Sequence, residues 1–173
     1  MDYRIKETVG FSPNIGELVS MLEYTRLVTL EELEELTVQG LDYLADGSSN
    51  TIGALLLHMA SVEFVNQIIS FENRDLTEEE FSQWKVPLEL GGMARKVIRD
   101  QPLEYYLEEL AAVRRKTLTL MKDAEDEWLY RERKWDNGVA HNNYYLWFHM
   151  LEDEISHRGQ IRIIKRMLEI SKI

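Results

Sequence analysis

His58, Asp153 and His157 are polar residues standing where the helical pattern of this chain asks for apolar ones. Leu146, Met150, Asp153, His157, Ile161, Ile164 and Leu168 advance by steps of three and four, so all of them fall on one helix face. Leu55, His58, Val62, Val65 and Ile69 make a second such stripe. Burying a polar group without a partner costs roughly 2–7 kcal/mol, and burying a charge costs more. Two facing stripes would bring two imidazoles and one carboxylate into one apolar interior. A divalent metal ion would satisfy all three. Asp153 and His157 lie one turn apart, roughly 6 Å along the axis, which suits a chelate. Two histidines and one carboxylate leave coordination positions open, as reactive sites do, whereas a structural zinc site is closed by four protein ligands.

Neighbouring residues offer other arrangements. His149 precedes Asp153 by one turn, so a His149/Asp153 pair competes with Asp153/His157. The second pair is preferred because His157 lies deepest in the apolar stripe. A hydrogen bond between Asp153 and His157 would also satisfy the core without metal. His149 is then expected beside the site and His141 in solvent. Glu63 falls on the edge of its helix face, as an orienting carboxylate, a general base or an exposed glutamate. Arg114 shares an inward stripe with Leu107, Leu110, Thr117 and Met121, and would clamp an anion or reach solvent. Trp128, Trp135, Tyr144, Tyr145 and Trp147 are expected to cap one end of the molecule. Gly159 stands in mid-helix, where glycine costs about 1 kcal/mol relative to alanine, and implies a close approach of backbones.

The elements that must position these residues are helices. Ser12-Pro13 reads as a helix start, with Ile15, Leu18, Leu22 and Thr25 on one face. Thr29 to Glu32 reads as a capping box, so a break is expected near Val28. A second helix is expected from about Thr51 to Phe71. Thr77 to Glu80 is another capping box, opening a short helix through Trp84, with Pro87 and Gly91-Gly92 as breakers. A third helix starts at Gln101-Pro102 and ends around Lys122. An irregular stretch from Trp128 to Asn143 contains the turn Asn137-Gly138. The fourth helix runs from about Asn143 to Ile170. No sheet is expected. Four long amphipathic helices predict an all-α four-helix bundle, and periodicity leaves their order open.

Composition fits a single domain over residues 1–173, with 45% hydrophobic and 29% charged residues. The net charge of −11 argues against nucleic acid, which clustered lysine and arginine would bind. Arg158, Arg162, Lys165 and Arg166 read as the solvated back of the last helix. The chain has no cysteine, hence no thiolate nucleophile and no thiolate metal site. No apolar run approaches the ~20 residues of a membrane span. With no signal-like N-terminus, a cytoplasmic protein is expected.

Thr51-Ile-Gly-Ala-Leu-Leu-Leu-His58 and the segment from His149 through Asp153 and His157 to Gln160 resemble the two signature segments of the DinB-like superfamily. Leu18 to Arg26 and Leu41-Asp42 are similar to its branch of long-uncharacterised members. The resemblance implies a DinB/YfiT-like bundle of up-down-down-up topology, often dimeric. It implies a divalent metal, nickel or zinc, on His58, Asp153 and His157. Asp153 departs from the usual histidine, a harder ligand that admits manganese or iron. Relatives include transferases and isomerases that use low-molecular-weight thiols. A thiol-dependent S-transferase or hydrolase is therefore expected, the alternative being a non-enzymatic, metal-binding or stress-associated dimer. The apolar surplus of helix two, including Leu56, Leu57, Met59, Phe64 and Ile68, adds to the expectation of a homodimer.

Overall fold

In the computed structural model, which describes residues 3–171, Ser12-Pro13 opens helix α1 (Pro13–Glu31). The Ser12 hydroxyl does not cap the helix itself. It donates to Asp126 at 2.6 Å, and the same carboxylate accepts the Asn14 and Ile15 N–H groups at 3.0 and 3.1 Å. The break expected near Val28 is absent. Thr29 donates back to the Thr25 carbonyl at 3.0 Å inside the helix, so it is an interior residue and not a cap. The short helix α2 (Val38–Leu41) follows, capped by Thr37.

Thr51 caps helix α3 (Ile52–Gln67) by accepting from Ala54 N–H at 3.1 Å. A π turn, Ile68–Glu72, ends it at Asn73 in the left-handed region. The capping box of Thr77 and Glu80 opens α4 (Glu78–Glu89) as expected, but the helix passes Trp84 and contains Pro87. Only Leu90, at φ 52°, separates it from α5 (Gly91–Val97). Then come α6 (Leu103–Lys122) and α7 (Asp126–Leu129). The stretch read as irregular holds a hairpin, β1 (Glu132–Lys134) against β2 (Ala140–Asn142), with Arg133 opposite His141. It is too short to show a period of two. Helix α8 (Asn143–Ile170) is capped by Asn142.

The architecture is all-α, with the two short strands as an appendage. Register follows from cross-helix contacts. Arg26 of α1 and Glu32, its C-cap, meet Glu154 and Arg162 of α8, so these two helices run the same way. Asn66 and His58 of α3 meet Leu146 and His157 of α8, so α3 opposes them. Tyr106 and Thr117 of α6 meet Gly53 and Glu63 of α3, so α6 follows α3. A β-carbon on Gly53 would sit 2.6 Å from the Tyr106 hydroxyl, so only glycine permits that contact.

The apolar core has two lobes. Leu41, Leu55, Leu56, Tyr106, Leu110 and Ile161 belong to one. Ile15, Leu22, Met121, Trp128, Trp147 and Met150 belong to the other. The apolar surplus of α3 is not left for a partner. Leu56, Leu57, Met59 and Ile68 are buried, and Trp84, Ala94 and Ile98 of the α4–α5 crossover share the cluster that covers α3. The segment Ile52–Glu72 is long and apolar enough to cross a membrane, but it is mostly buried as a core helix.

Candidate metal centre

The antiparallel packing of α3 on α8 brings His58, Asp153 and His157 together. One ligand atom from each lies within 4.8 Å of the other two. Asp153 Oδ1 is 3.8 Å from His58 Nε2 and 3.2 Å from His157 Nε2. The imidazoles meet edge to face, 4.8 Å between centroids. The side chains are 13, 21 and 12% exposed for His58, Asp153 and His157, so the cluster is sheltered but reachable.

His58 is oriented from behind. Its Nδ1 lies 2.9 Å from the Pro87 carbonyl oxygen, which can only accept. In the neutral ring the proton therefore sits on Nδ1, and the Nε2 lone pair faces Asp153 and His157. A carbonyl holding the far nitrogen is the usual support of a metal-ligating histidine. The carbonyl is free because α4 ends at Glu89. The Gly91 N–H that might have reached it donates to Asn50 instead, at 3.1 Å.

Electrostatics bind the cluster further. Burial opposes ionisation of Asp153, but hydrogen bonding to His157 and His58 outweighs it and holds the carboxyl well below the usual range. Burial disfavours the His58 imidazolium, but Asp153 and the Pro87 carbonyl outweigh it and raise the pKa. His157 Nδ1 is buried without a partner among the described residues.

The other candidates lie elsewhere. His149 is exposed and pairs with Glu152 at 3.3 Å, outside the cluster. His141, expected in solvent, is buried. The hairpin stacks it on Trp135 at 3.8 Å between centroids. Trp128 and Trp147 are buried in the second lobe, whereas Trp135 and Tyr145 are exposed. Gly159 has no neighbour that a β-carbon would meet within 4 Å, so the expected close approach does not occur within the protomer. Arg158, Arg162 and Lys165 are not a merely solvated back. They tie α8 to Thr25 of α1 and to Glu32, the cap of that helix.

Glu63 and Arg114 belong to a different site. Glu63 is fully buried and accepts from Arg114 Nε at 2.7 Å, Thr117 Oγ1 at 2.7 Å and Arg26 Nη2 at 3.0 Å. Arg26 also bonds Glu154, at 3.0 and 3.2 Å. Each arginine donates to the main chain of the other's helix, Arg26 to Leu110 O at 3.0 Å and Arg114 to Leu22 O at 2.9 Å. Burial opposes the charge on Glu63, yet Arg114 and Arg26 prevail and depress its pKa. Sequence reasoning missed Arg26 and Glu154 in this role. The available signal was position, since Glu154 lies four residues after Met150 and three after Leu151, both buried.

A helical bundle that clasps two imidazoles and a carboxylate between two antiparallel helices is of the DinB-like class. A model of the mycothiol S-transferase family matches residues 17–169, and the chain belongs to that family. The fold is similar to that of a conserved protein of Enterococcus faecalis, with 17% identity, TM-score 0.65 and coverage of 87% of this chain and 94% of that one. It is also similar to a Streptococcus pneumoniae protein, with 15% identity, TM-score 0.67 and 94% of each chain covered. At these identities the likeness speaks for the fold alone. No curated protein matches the sequence.

Proposed function

We propose that this chain is a cytoplasmic, metal-dependent thiol S-transferase whose residues 1–173 form one domain and whose metal ligands are His58, Asp153 and His157. The observation that carries the reading is the convergence of these three side chains within 4.8 Å in a member of a thiol-transferase family. The donors fit a divalent ion. His58 offers Nε2 with its proton held at the Pro87 carbonyl, Asp153 is an ionised carboxylate, and His157 presents Nε2 to the same point. Zinc–nitrogen and zinc–oxygen bonds of about 2.0–2.2 Å place neighbouring ligand atoms roughly 3–3.5 Å apart, close to the 3.2 and 3.8 Å seen here.

A bound divalent ion lowers the pKa of a coordinated thiol or water and supplies a nucleophile at neutral pH. The chain contains no cysteine, so the sulfur must arrive on a low-molecular-weight cosubstrate. Its thiol proton passes to solvent, and the thiolate attacks an electrophilic carbon, forming a carbon–sulfur bond as the bond to that carbon's leaving group breaks and the group departs with the electron pair (bromide, in monobromobimane). Nickel or zinc suits the two imidazoles, while the carboxylate admits manganese or iron. Water in place of the thiol would make the same centre hydrolytic.

The test is metal analysis of protein purified without a histidine tag, followed by conjugation of a thiol to monobromobimane with and without protein. About one ion per chain is expected, with thiol-dependent turnover that His58→Ala abolishes. Absence of bound metal after incubation with zinc, nickel or manganese would refute the metal reading. Metal binding without thiol turnover would leave a metal-binding bundle, and turnover without thiol would mark a hydrolase.

A further inference from the structure

The hairpin between α7 and α8 buries a histidine that the metal centre does not use. His141 is 8% exposed, and neither ring nitrogen has a hydrogen-bond partner among the described residues. No other described buried side chain leaves two polar atoms unpaired. Its ring lies flat on Trp135, with 9° between the planes and 3.8 Å between centroids. Phenylalanine would fill that place with no polar atom to satisfy, so packing gives no reason for an imidazole. Both rings line a cleft of about 530 Å³ between the hairpin and the turn that ends α3.

The same cleft holds a guanidinium without a counter-charge. Arg133, half-buried, stands opposite His141 across the hairpin. It donates to the Ile69 and Ser70 carbonyls, which engages two N–H groups and neutralises nothing. Burial and the Arg131 charge lower its pKa, and no acid offsets them. Burial, and then the Arg133 charge, likewise push His141 below the ordinary imidazole value. Lys134 lines the cleft and is exposed. Arg74 lines it too, but Glu72 and Glu80 already pair with it. Asp75 and Asp136 are the lining acids, both exposed, and neither compensates Arg133. A chain of net charge −11 thus keeps an uncompensated cation and two idle ring nitrogens on one cavity.

We propose that this cleft is a ligand site distinct from the triad, which takes a small oxyanion, a carboxylate or a phosphate monoester, on Arg133, His141 and Lys134. The N–H groups that Arg133 has left form the planar fork that suits such oxygens. An anion there offsets the repulsion between Arg133 and His141, and an imidazolium donates from both nitrogens. Trp135 offers the body of the ligand an apolar wall. Asn143 follows the hairpin directly, and ten residues of α8, about 15 Å, separate it from Asp153. The inference therefore stands whether or not the triad holds a metal.

The experiment is titration of the full chain with inorganic phosphate and, separately, with benzoate, against sodium chloride at matched ionic strength. Tryptophan fluorescence reads it, because Trp135 is 37% exposed while Trp84, Trp128 and Trp147 are buried. Saturable binding of at least one of the two anions is expected, with a dissociation constant of about 1 mM or tighter. Preference for phosphate would mark a phosphate monoester as the ligand. Preference for benzoate would mark a carboxylate with a planar body against Trp135. His141→Phe keeps the stacked ring and removes both nitrogens. It should melt no lower than wild type without anion, yet bind at least about tenfold more weakly. Lys134→Glu, at an exposed position, should weaken binding by a similar factor, and it decides the matter if His141→Phe does not fold. A response that chloride reproduces, or binding undiminished in Lys134→Glu or in folded His141→Phe, would overturn the proposal.

Discussion

Two polar clusters draw on the same pair of helices, α3 and α8, and satisfy their charges in different ways. His58 and Glu63 stand five residues apart on α3, and Asp153 and Glu154 are neighbours on α8. Around Glu63 and Glu154, two guanidiniums supply donors, Thr117 adds a hydroxyl and main-chain carbonyls take what remains. Charge is closed inside the protein. Around Asp153 no guanidinium pairs with the carboxylate among the described residues. Two imidazoles turn their Nε2 atoms toward one carboxylate, and the Nδ1 of His157 has no partner among the described residues. The first cluster is finished by folding, whereas the second, on the proposed reading, is finished by a metal ion. Burial alone does not separate them. What separates them is whether donors and acceptors balance.

The comparison sets the expected ranking of variants. The largest loss of stability should come from Arg114→Met, which leaves Glu63 short of its main partner. Breaking a buried pair costs about 3–5 kcal/mol. Urea denaturation measures it, and a cost no greater than that of His58→Ala in metal-free protein would erase the distinction between the clusters. Next comes ligand linkage. Zinc or nickel at a hundredfold excess over its dissociation constant should stabilise wild type by about 2.7 kcal/mol and leave His58→Ala unmoved. A rise in melting temperature of that variant equal to wild type would locate the metal elsewhere.

The acid limb of the stability curve should single out Glu63. Its folded-state pKa lies below the ordinary glutamate value of about 4.5, so the native state binds fewer protons than the unfolded chain in this range. The stability it contributes is present above about pH 4.5 and is lost as pH falls through the depressed folded value. Glu63→Gln, which cannot titrate, should be less stable at neutral pH and approach wild type in acid. Parallel curves would show that the carboxylate is not the ionised centre of the quartet. The smallest effect concerns metal choice. Asp153→His exchanges a hard ligand for imidazole and should tighten zinc by roughly tenfold, about 1.4 kcal/mol, in a competition titration against a chelator. Unchanged or weaker affinity would remove Asp153 from the ligand set.

How much of this was legible in the sequence follows from what periodicity measures. It finds polar residues that interrupt apolar stripes, so Asp153 and His157, with apolar residues before and after them, were plain. It misplaces residues that are buried because they are paired. On α3 the stripe through Val62 and Val65 proved only half-buried, while Glu63, Asn66, Gln67 and Ser70 took the interior. Gln67 bonds the Val113 carbonyl and Asn66 the Leu146 carbonyl, partners supplied by other helices that a single helix cannot disclose. Thr29 and Pro87 misled for a related reason. Each is a local stop signal that did not stop its helix: the Thr29 hydroxyl turns back to the Thr25 carbonyl of α1, and Pro87 lies inside α4.

The Pro87 carbonyl carries one more consequence. It joins His58 to α4, a helix of the crossover that otherwise covers α3. Drawing electron density from Nε2 makes Nδ1–H a stronger donor, so an ion taken up by the triad would tighten its grip on the end of α4. Occupancy of the centre would thus be written into the mobility of a segment that supplies no ligand. Amide hydrogen exchange along α4 should slow when the ion enters and quicken when a chelator removes it.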